Sequence, residues 1–426
     1  MIAWLLVPFA ITLIGGVPIS FCLILGVVAF LTMANTVSPD ILAQQMYQAA
    51  ASFPLMAIPF FLLAGDLMER TGITHRLVKF LVIIVGRIRG GLAQVVILSG
   101  TMLAGLSGSG AADTAAMAKI LVPGMKEEGY DVDFSAALTA ATGVLGPIIP
   151  PSIVMIVYGS LMNVSVGKLF IAGIIPGLLL GIGLMVTAYV ISIKNKYPKR
   201  EEPFSWKELF IGLKDASLAL VMPVIILVGI RGGIFTPTEG GAAAVAYALF
   251  LGFFIYRSLS FKMLVDALVS SGVMAAVIML IVAAANPFGW LLSLNQVPQQ
   301  VAGLMLSITS NKYVIMMLIN ILLLIMGMFM ETNAIVLLLA PILAPIAIKV
   351  GVDPLHFGVI MVVNLCIGLV TPPVGLNLFV AASTSGITLE RVSVAVIPFL
   401  LVELGILLMI TYIPEIILFF PRMLGM

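Results

Sequence analysis

The sequence predicts an all-α, polytopic membrane protein made of two inverted-topology repeats, and three observations carry that prediction. Of the 426 residues, 62% are hydrophobic and 9% charged, against roughly 25% charged in an ordinary soluble domain; apolar stretches long enough to cross a bilayer recur along the chain. The stretch from Gly105 to Pro176 returns without a gap as Gly327 to Pro398, an offset of 327 − 105 = 222. That offset pairs Pro123 with Pro345, Gly129 with Gly351, Asp131 with Asp353, Gly146 with Gly368 and Pro150-Pro151 with Pro372-Pro373. Most identities are Gly, Pro or Asp, which set backbone shape, whereas shared apolar composition would align Leu and Ala. Finally, basic residues gather in alternate connections, which assigns those connections to the cytoplasm.

In chain order, the first apolar run reaches about Met33 and is interrupted at Gly15-Gly-Val-Pro18. It forms either one long broken helix or a short helix and a full one. It lacks the basic start and the small-residue cleavage site of a signal peptide and reads as a retained span. Asn35 to Ser52 carries Asp40 and no Lys or Arg, so it lies outside. Glu69 to Arg89 carries Arg70, Arg76, Lys79, Arg87 and Arg89, so it lies inside, with a span at 53–68 between the two. The apolar segments 92–106 and 111–124 are too short for comfortable spans and flank Ser107-Gly-Ser-Gly110. They read as a re-entrant hairpin, 92–125, entering from the cytoplasm. The segment 134–163 holds Gly146-Pro-Ile-Ile-Pro-Pro-Ser152 in its middle and reads as a broken helix; a span at 169–193 follows. The first repeat is thus 1–193, with scaffold helices in 1–91, and the basic stretch that follows is a cytoplasmic linker, 194–216.

The second repeat, 217–426, has scaffold helices in 217–311, with spans near 218–235, 239–256 and 268–291. A hairpin at 313–348, a broken helix at 356–384 and a last span at 393–420 complete it. Thr236-Pro-Thr-Glu239 reads as a helix start capped by Thr238. The stretch 291–311, equivalent to the basic 69–89, holds no charge. The same motif therefore enters from opposite faces, which makes the repeats inverted.

The interruptions point to function. Backbone groups inside hydrocarbon must be paired, so unwound chain at mid-membrane is confined to buried positions or to the wall of a polar cavity. Gly146–Ser152 and Gly368–Gly375 predict such a cavity. The hairpin tips add the hydroxyls of Ser107, Ser109 and Thr332, the amide of Asn333 and the carboxylate of Glu331. Paired interruptions in two halves mark the binding site of a secondary transporter: half-helix C-termini suit Na⁺ and half-helix N-termini suit a carboxylate. Asp113 joins the candidates, because an ionisable group in a membrane segment is costly and functional by default. Asp66, near a cytoplasmic helix end, reads as structural. The run Arg70 to Arg89 reads as an interfacial face touching anionic lipid of the bilayer or a partner, not as a substrate site.

Other chemistry is excluded. A net charge of +2, with the basic residues in short loops, gives no nucleic-acid face. Cys22 and Cys366 lie in apolar segments and read as core residues. His75 and His356 form no zinc-protease motif, and Gly105 to Thr114 lacks the Gly-Lys-[Ser/Thr] ending of a phosphate loop. The chain is not an enzyme on this reading, and active transport draws on an ion gradient.

Gly105-Leu-Ser-Gly-Ser-Gly-Ala-Ala-Asp-Thr114, Gly146-Pro-Ile-Ile-Pro-Pro-Ser152, Thr236-Pro-Thr-Glu239, Glu331-Thr-Asn333 and Thr371-Pro-Pro-Val-Gly375 together resemble the large membrane (M) subunit of tripartite ATP-independent periplasmic (TRAP) transporters. The resemblance covers essentially the whole chain and is nearest the sialic-acid branch, with C4-dicarboxylate the next choice. It implies a Na⁺-coupled importer of organic acids in the bacterial inner membrane, working by an elevator mechanism. It also implies a separate small four-helix membrane subunit (Q) and a soluble periplasmic substrate-binding protein. Carried over by resemblance, substrate binding falls to Ser107, Ser109, Asp113, Ser152, Glu331 and Asn333. One Na⁺ falls near Ser107, Gly108, Gly110, Gly143, Gly146 and Pro147, and another near Gly327, Glu331, Thr332, Gly368, Val370 and Thr371. Two other readings compete: a self-sufficient sodium/carboxylate symporter, and an intramembrane aspartyl protease using Asp66, Asp113 or Asp131.

Overall fold

The computed structural model describes residues 2–34, 37–199 and 205–425. Asn35, and with it the start of the outside connection, and residues 200–204 of the predicted linker lie outside the described residues. The first half runs α1 (Ala3–Ile14), α2 (Ile19–Ala34), α3 (Asp40–Ala50), a 3₁₀ turn (Phe53–Met56), α4 (Ala57–Arg70) and α5 (Ile73–Val85). It continues with α6 (Gly91–Ser107), α7 (Gly110–Glu127), α8 (Val132–Gly143), α9 (Ile153–Met162) and α10 (Val166–Lys194). The second half runs α11 (Trp206–Arg231), α12 (Pro237–Phe250) with a π turn (Leu251–Ile255), α13 (Phe261–Leu294) and α14 (Val297–Ile308). Then come α15 (Lys312–Phe329), α16 (Thr332–Lys349), α17 (Pro354–Gly368), α18 (Leu376–Ser385), α19 (Leu389–Ala395), α20 (Ile397–Tyr412) and α21 (Glu415–Met423).

The repeat is visible element by element. Adding 222 to the bounds of α7 gives 332 and 349, the bounds of α16. Gly129 and Gly351 both turn with positive φ, 89° and 84°, and the Pro150-Pro151 and Pro372-Pro373 bonds are both cis. The copies differ where their sequences do. α13 is one helix of 34 residues, whereas its counterpart is split into α3 and the 3₁₀ turn with α4, bent by 57°. Pro54 stands where the second copy has Ala276; proline has no N–H to give a helix and clashes with the preceding turn.

Among the described residues, α10, α12 with its π turn, α13, α15 and α16 are long and apolar enough to cross a membrane, with up to eight such spans if bent pairs are counted. The 17 residues of α6 reach only about 25 Å at ~1.5 Å per residue, short of a ~30 Å hydrocarbon layer. Two sequence expectations are corrected and one open reading is settled. The N-terminal run is two helices folded on each other, with Gly26 against the Leu5 carbonyl. The last span is not continuous over 393–420: it breaks at Val396 and again at Ile413. Pro414 pushes Ile413 to φ −117° and ψ 84°, away from helix. The cap of α12 is Thr236, not Thr238: Thr236 Oγ1 accepts the Glu239 N–H and the Glu239 carboxylate accepts the Thr236 N–H at 2.7 Å. Thr238 instead donates to the Phe53 carbonyl at 3.1 Å.

The halves interlock. α7 packs on α18 and α9 on α16, so each hairpin's second helix lies along the other half's broken helix. Tyr158 donates across the boundary to the Pro354 carbonyl at 3.1 Å. Within the second half, Asn364 Nδ2 donates to Asn320 Oδ1 at 3.0 Å and Asn320 Nδ2 to Thr411 Oγ1 at 3.0 Å, tying α17, α15 and α20 together in the buried interior. Asn320→Ala removes both side-chain contacts, leaving Asn364 Nδ2 the Asn320 backbone carbonyl and Thr411 Oγ1 the Leu407 carbonyl. It should cost about 1–2 kcal/mol, the upper end for interhelical polar contacts in membranes, read as a lower unfolding midpoint in detergent.

Candidate functional site

Both tips and both breaks meet around one central cavity of about 470 Å³. The first tip brings Gly108, Ser109 and Gly110 to it, the first break Pro147, the second tip Glu331, Thr332 and Asn333, and the second break Leu369. Local structure explains the placement. Gly108 ends α6 with φ 61°, a left-handed turn that glycine makes without steric cost, and extended Ser109 opens α7 straight away. Glu331 caps α16, accepting the Ala334 N–H at 3.1 Å, and Asn333 Nδ2 donates to Glu331 Oε1 at 2.6 Å. Asn333 Oδ1 is buried and has no hydrogen-bond partner. The first residues of α7, α9, α16 and α18 all border the cavity. Four helix N-termini therefore bring partial positive charge to its wall, those of α9 and α16 already capped by Ser152 and Glu331, a setting for an anion.

A second cavity of about 270 Å³ shares Leu62, Ser109 and Met274 with the first and lies between α4, α13 and the first hairpin. Here Ser107 Oγ donates to Asp113 Oδ1 at 2.6 Å, and Asp113 Oδ2, buried, has no hydrogen-bond partner. Gly146 lies against that oxygen: a Cβ built on it would stand 2.7 Å away. Asp66 also borders this cavity, but it is held by Arg70, Nε to Oδ1 at 2.7 Å, and by the Ser270 hydroxyl. Asp131 accepts the Tyr197 hydroxyl at 2.7 Å. No hydrogen bond joins any two of these aspartates among the described residues, and a protease would need a carboxyl pair acting together.

The remaining candidates lie behind the cavity wall. Gly143 backs onto Gly110 and the Thr114 hydroxyl, and Gly327 meets Gly368 backbone to backbone. Thr371 donates to the Ile367 carbonyl at 2.8 Å, and Val370 is fully buried beside it. Ser152 is also fully buried, and its hydroxyl caps α9, accepting the Met155 N–H at 3.2 Å and donating to the Pro147 carbonyl. Asp113 in the second cavity and Asn333 in the central one each bring a buried oxygen without a partner, a hard donor of the kind that suits Na⁺.

The family model for the tripartite ATP-independent periplasmic transporter, DctM component, matches residues 6–416. The chain belongs to that family. It is 43% identical to the isethionate TRAP transporter permease protein DctMQ of Oleidesulfovibrio alaskensis over 97% of its own length, and it spans 65% of that relative's length. It is 40% identical to the sialic acid TRAP transporter large permease protein SiaM of Vibrio cholerae, over 96% of each chain. Among solved structures, the YdaH transporter of Alcanivorax borkumensis shares the fold, with a TM-score of 0.60 at 15% identity, over 87% of this chain and 86% of that one. The chain is therefore a multi-pass large permease of a transporter family rather than an enzyme.

Several polar groups of this TRAP permease escape a reading by motif. Asn377, fully buried at the start of α18, reaches over from the second half to lie beside Gly110 and Gly143, and its Oδ1 has no hydrogen-bond partner. Only proximity in space reveals it, because its repeat equivalent is Met155. Glu403, inside the apolar run of α20, is fully buried with neither oxygen paired. Its signal was present in the sequence, by the reasoning that singled out Asp113 and Glu331: a carboxyl inside a span is costly.

Proposed function

We propose that this large permease imports an organic acid across the bacterial inner membrane, driven by Na⁺ and dependent on a soluble binding protein, with a separate small four-helix subunit as its membrane partner. The observation that carries this reading is the central cavity, where two hairpin tips and four helix N-termini converge on one space. Helix N-termini favour a carboxylate, and the oxygens at the tips and breaks favour Na⁺, so cation and anion would be held side by side. In each inverted repeat the hairpin and broken helix form the moving unit and the remaining helices the scaffold, which is the division an elevator requires. N-acetylneuraminate is the first substrate to try and a C4-dicarboxylate the second. The relatives named above carry different acids, isethionate and sialic acid, so overall identity does not choose between them.

Uptake of labelled acid into proteoliposomes tests the proposal, using this chain with its small subunit, with and without an inward Na⁺ gradient and the binding protein. Uptake that needs both is the expected result. Uptake without the binding protein would replace this reading by a self-sufficient symporter, and uptake indifferent to Na⁺ would remove the coupling.

A further inference from the structure

Glu403 carries a carboxyl that nothing in the fold uses. It is fully buried, and neither Oε1 nor Oε2 has a hydrogen-bond partner. α20 packs on α8, α10, α17 and α19, and apart from the buried Cys366 thiol the titratable groups on these elements are engaged elsewhere, exposed or near a helix end. On α8, Asp133 is ion-paired with Arg391 of α19 at 2.8 Å, while the Phe134 ring packs tilted against that of Phe399 of α20, centroids 5.9 Å apart. On α10, Gly183 faces Val402 and Ile406, Lys168 and Lys194 stand near the two helix ends, and Tyr189 is exposed. On α17, His356 is bonded to the Ile410 carbonyl at 2.8 Å, and the Cys366 thiol lies within electrostatic reach of both Glu403 and Glu331. Glu390 of α19 is exposed. Within α20 itself, Tyr412 donates to the Tyr313 carbonyl at 3.2 Å.

A bare carboxylate in this position would be an uncompensated buried charge, which the interior strongly disfavours. A merely structural acid would be expected to make hydrogen bonds, since a buried polar group that makes none only destabilises. We propose that Glu403 is a proton-binding position. It takes one proton from water on one side, holds it while buried, and releases it to water on the other side as the second break moves. The step is a protonation and deprotonation of one carboxyl, with the proton drawn from and returned to water. This rests on the Na⁺-driven import proposed above, and adds a proton to the coupling.

The test uses the complex of this chain and its small subunit in proteoliposomes, with a pH dye in the lumen, the binding protein loaded with an accepted acid, and a fixed Na⁺ gradient. Wild-type uptake should acidify the lumen and respond to an imposed pH difference. Glu403→Gln, which mimics the protonated side chain, should lose both while keeping substrate counterflow. Wild-type Na⁺-driven uptake without acidification, or acidification retained in Glu403→Gln, would overturn the assignment. Infrared spectroscopy reads the site without transport: a protonated-carboxyl band present in wild type and absent in Glu403→Gln is expected, and its absence from wild type would equally overturn the proposal. If no Na⁺-driven uptake occurs, the coupling reading fails while the infrared band still decides the proton site.

Discussion

Gly146→Ala is expected to lower Na⁺-driven uptake by about tenfold or more, because a core overpacked by one methyl loses ~1–3 kcal/mol and 1.4 kcal/mol is a factor of ten. The added methyl would stand 2.7 Å from Asp113 Oδ2, 2.9 Å from the Gly110 nitrogen and 3.0 Å from the Ser109 carbonyl carbon. Two of those three neighbours are backbone and cannot swing aside, so the tip of the first hairpin must leave its break. Gly368→Ala should behave alike in the second half, its methyl 2.6 Å from Gly327 Cα. Gly124→Ala is the control on α7, where the methyl meets nothing within 4 Å and gains helix propensity. Equal uptake in all three variants, each assembled normally, would show that the tips and breaks need not fit together.

Asp113→Asn should raise the Na⁺ concentration for half-maximal uptake by roughly 10–100-fold, the range expected when a charge-assisted contact of ~1.5–3 kcal/mol is lost. Asparagine fills the same space and still accepts from the Ser107 hydroxyl, so the packing against Gly146 is kept while the charge is removed. Ser152→Ala makes the contrast. Its hydroxyl caps α9, so the loss should be about 1 kcal/mol of stability, with half-saturating Na⁺ unchanged. An unaltered Na⁺ dependence in Asp113→Asn would take Asp113 out of the cation site.

The fold class was legible because its signals are backbone signals. Gly and Pro at a fixed offset mark breaks whatever the surrounding apolar residues are, and the helix ends at Ser107, Gly110, Phe329 and Thr332 follow those marks. Less legible was how a single apolar run divides: Ile397–Tyr412 and Glu415–Met423 share one hydrophobic stretch and are parted only by Pro414. At the site, the tip residues that meet in the central cavity were legible as polar interruptions. The separation of Ser107 and Asp113 into a neighbouring cavity was not, because Ser107 and Ser109 look equivalent in sequence, yet across the turn at Gly108 Ser109 borders both cavities and Ser107 only one. Asn377 was hidden for a related reason: it serves the opposite half of the molecule, and no spacing rule links it to Gly110 and Gly143.

The central claim is that the hairpin tips line one cavity whose access to water changes with ligand. Labelling of Ser109→Cys by a membrane-impermeant thiol reagent tests it most directly, since native Cys22 and Cys366 are both buried. The account predicts that adding Na⁺ and the accepted acid raises reactivity from one face of the membrane and lowers it from the other. A Ser109→Cys thiol that reacts from neither face, or equally under every condition, would contradict it.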